Sequence, residues 1–187
     1  MSRQQDSRQS FEGESTRGSS LVQSFTFESL LARLSAGFIN LPPERIDQEI
    51  EHWFARIADL LELDGCVVFQ QSQSGGPLGP THSLLRPPIR PFPDSSLAGS
   101  YPWLSRRLLS SEIVSFASRE EIPRLARHDQ FAAADQGIEA LAAIPIPGPE
   151  EDLVGGILFV AASAREKWSE ETIQRLWLVA QVFRNAL

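Results

Sequence analysis

The scarcest reactive side chains in this 187-residue chain are one cysteine, Cys66, and three histidines, His52, His82 and His128. A single cysteine leaves no internal disulfide framework and no multi-cysteine zinc site. Cys66 stands in the apolar run Cys66-Val67-Val68-Phe69, with no cationic neighbour in sequence to draw out a thiolate, so it reads as a small buried hydrophobe. The histidines show neither HxxxH nor HExxH spacing, and no carboxylate–histidine cluster defines a metal site. His52 adjoins Trp53 in a helical pattern and reads as a surface residue. His82 and His128 read first as surface or hydrogen-bonded imidazoles. Arg106-Arg107 and the pair Arg124/Arg127 could meet an anion. Lys and Arg total 17, however, and all but Lys167 are arginine, a composition bias, so a solvated basic face is the default for them. Phe69, Trp103, Phe116 and Phe131 could line an apolar pocket or simply fill a core. No nucleophile–base pair and no pair of acids can be assembled, so no catalytic residue is expected.

The bulk properties narrow the class. Apolar residues make up 42% and charged residues 22%, an ordinary globular composition. The length predicts about one domain plus a tail. The net charge of −7 opposes a nucleic-acid surface, which needs basic residues to displace counterions. No apolar run reaches the roughly 18 residues of a membrane span, and no signal-peptide pattern opens the chain. The expectation is a cytoplasmic protein with no membrane and no nucleic-acid partner.

The elements that must position these side chains follow from periodicity. Residues 1–24, with seven Ser and four Gln, read as a disordered tail, and 25–187 as one domain. Phe27, Leu30, Leu31, Leu34 and Phe38 mark a first helical stripe. Ile46, Ile50, Trp53, Phe54, Ile57 and Leu61 mark a longer helix from Pro43 to Glu62, with Asp64-Gly65 as the following turn. Cys66–Phe69 reads as a buried strand, and Gly75-Gly76 as a hairpin turn. Thr81–Leu85 could be its partner, although six prolines from Pro77 to Pro93 confine any strand there to an edge or a bulge. A short helix is predicted around Trp103–Leu108, and a strand over Ile113–Phe116. Ser118 to Glu121 matches a capping box, and a helix is predicted from Arg124 to Gln136, closed by Gly137. Ile138–Ile146 and Leu153–Ala161 are joined by a six-residue connector, which forces antiparallel pairing. Ser169 caps a last helix, with Trp168 and Ile173 as a hydrophobic staple. That helix is apolar around most of its circumference, so a partner subunit is expected on one side of it. The order predicts an α/β chain of the α+β kind, an antiparallel sheet with packed helices.

Three segments carry a family resemblance: Leu34 to Glu44 before the long helix; Tyr101-Pro102-Trp103-Leu104 with Arg107 to Val114; and Ala140 to Pro145 leading into Val154 to Phe159. Over about residues 27–187 the chain resembles a GAF domain, the sensor module of bacterial signalling proteins. It is most similar to those of sensor histidine kinases and sigma-54-type transcriptional activators. The resemblance implies about six antiparallel strands, terminal helices on one face, and short helices over a ligand cavity on the other. It also implies a regulatory small-molecule sensor, often a homodimer through the terminal helices, with cavity occupancy coupled to those helices. On this basis Phe69, His82, Trp103, Phe116, His128 and Phe131 are the expected ligand-binding residues. The ligand itself stays open, with haem on His82 or His128 as one alternative and a dimerisation scaffold with a filled cavity as another. The chain departs from the family at Glu139-Ala140, where a basic residue followed by Ser is common, and in its dense prolines. It lacks the Asn-Lys-Phe-Asp-Glu signature of cyclic-nucleotide binders, a cysteine placed for bilin attachment, and the several cysteines of the family's methionine-sulfoxide reductases.

Overall fold

The computed structural model describes residues 26–39, 41–71, 76–92, 96–148, 153–166 and 168–185. The expected tail 1–24, the Gly75 end of the predicted hairpin and residues 149–152 of the 147–152 connector lie outside them. The chain forms two compact units, Met1–Ile39 and Asn40–Leu187. In the first, residues 26–37 form helix α1. The second contains everything else.

Helix α2 (Pro43–Leu61) begins where Pro43 occupies a first-turn position that needs no donor. It buries Ile50, Trp53, Phe54 and Ile57 along one face and ends at Glu62 in the left-handed region, φ 53°. The sequence placed the turn at Asp64-Gly65. Gly65 is instead the first residue of strand β1 (Gly65–Gln71). A Cβ on it would lie 2.6 Å from the Leu85 side chain and 2.8 Å from the Leu84 carbonyl, so close strand approach is what requires glycine.

β2 (Leu78–Leu85) pairs antiparallel with β1 and slips register opposite Val68/Phe69, beside Pro80. Helices α3 (Leu97–Ser100) and α4 (Pro102–Leu109) lead to the short strand β3 (Val114–Phe116). Two 3₁₀ turns, Arg119–Glu121 and Arg124–Ala126, precede α5 (Arg127–Gln136). The single helix expected over Arg124–Gln136 is thus a 3₁₀ turn followed by an α-helix. β4 (Ala140–Pro147) and β5 (Leu153–Ala161) form the predicted antiparallel pair, and α6 (Glu170–Arg184) closes the described chain.

The sheet order is β2-β1-β5-β4-β3, with every pair antiparallel. It has five strands where about six were implied. Between Leu85 and α3 the chain meets Pro87, Pro88 and Pro91, which cannot donate to a ladder, and no strand forms among the described residues of that stretch. Pro80 is tolerated because β2 is an edge. On one face of the sheet α2 covers β1 and β2 while α6 covers β4 and β5. These two helices meet where the Phe54 and Phe183 rings lie 5.3 Å apart. Each such buried ring stabilises the fold by roughly 1.5–3 kcal/mol.

Caps fix the helix ends. Ser169 Oγ accepts from Thr172 N–H at 3.1 Å, as its position predicts. The Ser118–Glu121 box is offset by one residue, because Glu121 Oε2 accepts from Ala117 N–H at 2.8 Å while Ser118 makes no side-chain cap. Trp168, expected as half of a staple, is buried and donates its indole N–H to the Phe116 carbonyl at 2.9 Å.

Candidate functional site

The sheet face opposite α2 and α6 is an apolar floor. Alternation along each strand brings Val67 and Phe69 of β1, Leu158 and Val160 of β5, and Leu141 and Ala143 of β4 to this side. The short helices cover it, α4 contributing Leu104 and Leu108 and α5 Ala133. Three aromatic rings bridge floor and cover. Phe92 lies 5.4 Å from Phe69 and 5.8 Å from Tyr101.

Within this apolar layer sits a buried polar cluster that sequence reasoning missed. Asp129, 3% exposed, reaches from α5 to the start of α4, where its carboxylate accepts from Leu104 N–H at 2.8 Å and Trp103 N–H at 3.2 Å. These are the amides that an N-cap side chain normally satisfies, and Tyr101 at the N-cap offers none. Asp129 therefore caps another helix in trans. Burial raises its pKa above the ordinary carboxylate value, against the opposing pull of the two amides.

Tyr101 O–H donates to Gln136 Oε1, and Arg90 N–H donates to the Gln136 carbonyl at 2.9 Å. Burial, reinforced by the charges of Asp129 and Asp135, pushes the Tyr101 phenol up, so it stays a donor. Gln136 is 5% exposed, yet its Nε2 has no acceptor. A buried donor left unpaired costs about 1–3 kcal/mol, so this amide is the polar group of the layer with most to gain from an acceptor. In sequence Asp129 and Gln136 stand at i and i+7 of α5, on one helix face with Ala133 between them, but Asp and Gln do not mark a core face.

The six expected ligand residues divide. Phe69, Phe116 and the half-buried Trp103 belong to this layer or pack against it. His82 does not. It pairs with Val68, whose side lies toward α2, and its Nε2 is 3.1 Å from Asp47 Oδ1 on that helix. The one-residue slip beside Pro80 sets this parity. Phe131 is 67% exposed, because α5 turns Asp129, Ala133 and Gln136 inward and Phe131 falls about 200° around the helix from Asp129. His128 is likewise exposed. Cys66 is buried on the α2/α6 side, opposite Phe159, and burial pushes its thiol far above the ordinary value. Glu139, where the family resemblance implies a basic residue, holds Arg119 at 2.6 Å.

Two surface recesses adjoin this architecture. One, of about 720 Å³, is lined by Asp59, Asp64, Arg86 and Arg165. Its arginines already have partners: Arg86 binds Asp59 at 2.7 Å, and Arg165 covers the last carbonyls of α2 at Leu61 and Glu62. The other, of about 500 Å³, is lined by Glu120, Ile122, Arg124, Arg127 and Gln130. Among the described residues no group of three or more His, Cys, Asp or Glu could hold a metal ion, and no helix is long and apolar enough to cross a membrane.

No family model matches the chain, and no curated protein matches it. Solved structures do. The phycocyanobilin-bound GAF domain of a cyanobacterial phytochrome is 15% identical with a TM-score of 0.66, covering 86% of this chain and 92% of that one. The GAF domain of a phosphoenolpyruvate-protein phosphotransferase from Acinetobacter is 12% identical with the same score and the same coverage of each chain. The blue-light absorbing form of the Thermosynechococcus elongatus PixJ GAF domain is 15% identical, with a TM-score of 0.57 over 84% of this chain and 86% of that one. The chain has the GAF fold.

Proposed function

We propose that this GAF-fold chain is a regulatory sensor domain of a bacterial signal-transduction protein, a histidine kinase or a transcriptional activator, working in the cytoplasm. A small molecule enters the layer between sheet and short helices and biases the packing of α2 and α6 across the sheet. The carrying observation is the Gln136 amide, a buried donor without an acceptor beside Tyr101 and Asp129 in a mainly apolar layer. Ligand binding would act by population shift, favouring the arrangement in which that donor is paired. No catalytic step is assigned. The bilins bound by the phytochrome relative are not assigned either, since the single cysteine lies on the other face of the sheet. Haem on His82 is disfavoured for the same geometrical reason.

We also propose a homodimer through α6. Trp177 and Leu178 are 44% and 40% exposed, and Gln181, one turn on, has a buried Nε2 with no acceptor.

The sensing reading is tested by native mass spectrometry of the purified chain, with an absorption spectrum of the same sample. The expected result is a bound small-molecule mass that disappears in Gln136→Leu. A ligand-free wild type, with Gln136→Leu simply more stable, would favour the filled scaffold.

A further inference from the structure

We infer that the recess below the two 3₁₀ turns is a binding site for a small organic monocarboxylate, separate from the layer around Gln136. Arg86, Arg90, Arg107, Arg119 and Arg175 each rest on a carboxylate in this acidic chain. Arg124 and Arg127 form no such pair among the described residues, yet they line one recess together. Two guanidinium groups sharing a concave surface repel each other, and a bound anion converts that repulsion into charge-assisted hydrogen bonds.

Glu120, on the same wall, sets the charge of the ligand. Two cations and one anion leave a net +1, which a monocarboxylate neutralises and a phosphate overfills. Ile122 supplies an apolar wall for the ligand body, since it belongs at once to the recess and to the inner apolar layer. Gln130 is held in place by its Nε2 on the Arg119 carbonyl at 3.2 Å, which leaves its Oε1 available to a ligand donor. The recess volume of about 500 Å³ suits a molecule of this size. Occupancy would tie the second 3₁₀ turn to α5, the helix whose Asp129 caps α4.

The probe is sodium benzoate, followed by chemical-shift titration of the whole chain, with neutral benzamide and inorganic phosphate as controls. Arg124 and Arg127 are exposed, so Arg124→Gln and Arg127→Gln should fold as the wild type does. Saturable benzoate binding is expected, with little from benzamide or phosphate. Each arginine variant should weaken it about tenfold, the loss of one charge-assisted hydrogen bond. Glu120→Gln should tighten it, and Gln136→Leu should leave it unchanged. Absence of saturable benzoate binding, equal binding of benzamide, or indifference to both arginines would overturn the inference. So would loss of binding in Gln136→Leu, which would move the carboxylate into the inner layer.

Discussion

Asp129 shows how one side chain can hold two elements together. Its carboxylate is buried, and it takes on the α4 amides that a local cap would otherwise satisfy. Asp129→Ala should destabilise the protein by about 2 kcal/mol, the upper end of cap removals, since Leu104 N–H is left buried without an acceptor. Urea denaturation measures this directly. The pH dependence follows from the raised pKa. Between the unfolded carboxylate value, about 3.9, and the higher native one, the native state binds more protons. Stability from this group is therefore fully present below the unfolded value and is lost as pH rises through the native one. Compared with Asp129→Asn, the wild type should gain relative stability as the pH falls towards about 4 and show a flat difference at neutral pH. A flat difference across the whole range would mean that burial does not govern this carboxyl.

At the scale of elements, the abrupt end of α5 sets the position of Gln136. Gly137 adopts φ 78°, and its N–H closes on Ala134 O at 3.2 Å, so the chain turns directly after the polar pair. A Cβ there would also approach the Pro88 carbonyl to 3.1 Å. Gly137→Ala should cost about 1–2 kcal/mol from the left-handed backbone alone. It should also shift Gln136, visible as altered resonances for Tyr101, which donates to its side-chain carbonyl, and for Arg90, which donates to its main-chain carbonyl. Unchanged stability would show that the turn tolerates a side chain and does not fix the pair. The glycine was recognisable in sequence because a helical run ended on it. The division of the preceding segment into a 3₁₀ turn and α5 was not, because Pro123 and the later packing of Ala126 and Asp129 together set where the α-helix begins.

For the whole molecule, the sheet separates the layer under the short helices from the face covered by α2 and α6, and under the proposed function a signal would have to cross between them. Side chains alternate along β1, β4 and β5, so adjacent residues on one strand touch opposite layers, as Val68 and Phe69 do. In the proposed mechanism, a shift under the short helices would reach α2 and α6 through such neighbouring residues. On the outer side of α6, Trp177→Glu places a charge on an exposed apolar patch. Sedimentation equilibrium should show the wild type as a dimer and this variant as a folded monomer. Equal masses for the two would remove α6 from the interface.

The sequence by itself determined the order of the strands and longer helices, though not α3 or the 3₁₀ turns, together with the β4–β5 pairing, the Ser169 cap and the confinement of the proline-bearing strand to an edge or a bulge. Each rests on local chemistry: hydrophobic period, connector length, a capping hydroxyl, a missing donor. It also marked the residues whose resemblance implied the GAF fold. Only the tertiary structure decided which residues face which layer. The slip beside Pro80 turned His82 toward Asp47, and the rotation of α5 put Phe131 outside and Asp129 and Gln136 inside. A one-residue register change reverses a strand's faces, and helix rotation depends on partners distant in sequence. For that reason the polar cluster at Tyr101, Asp129 and Gln136 had no signature before the chain was folded.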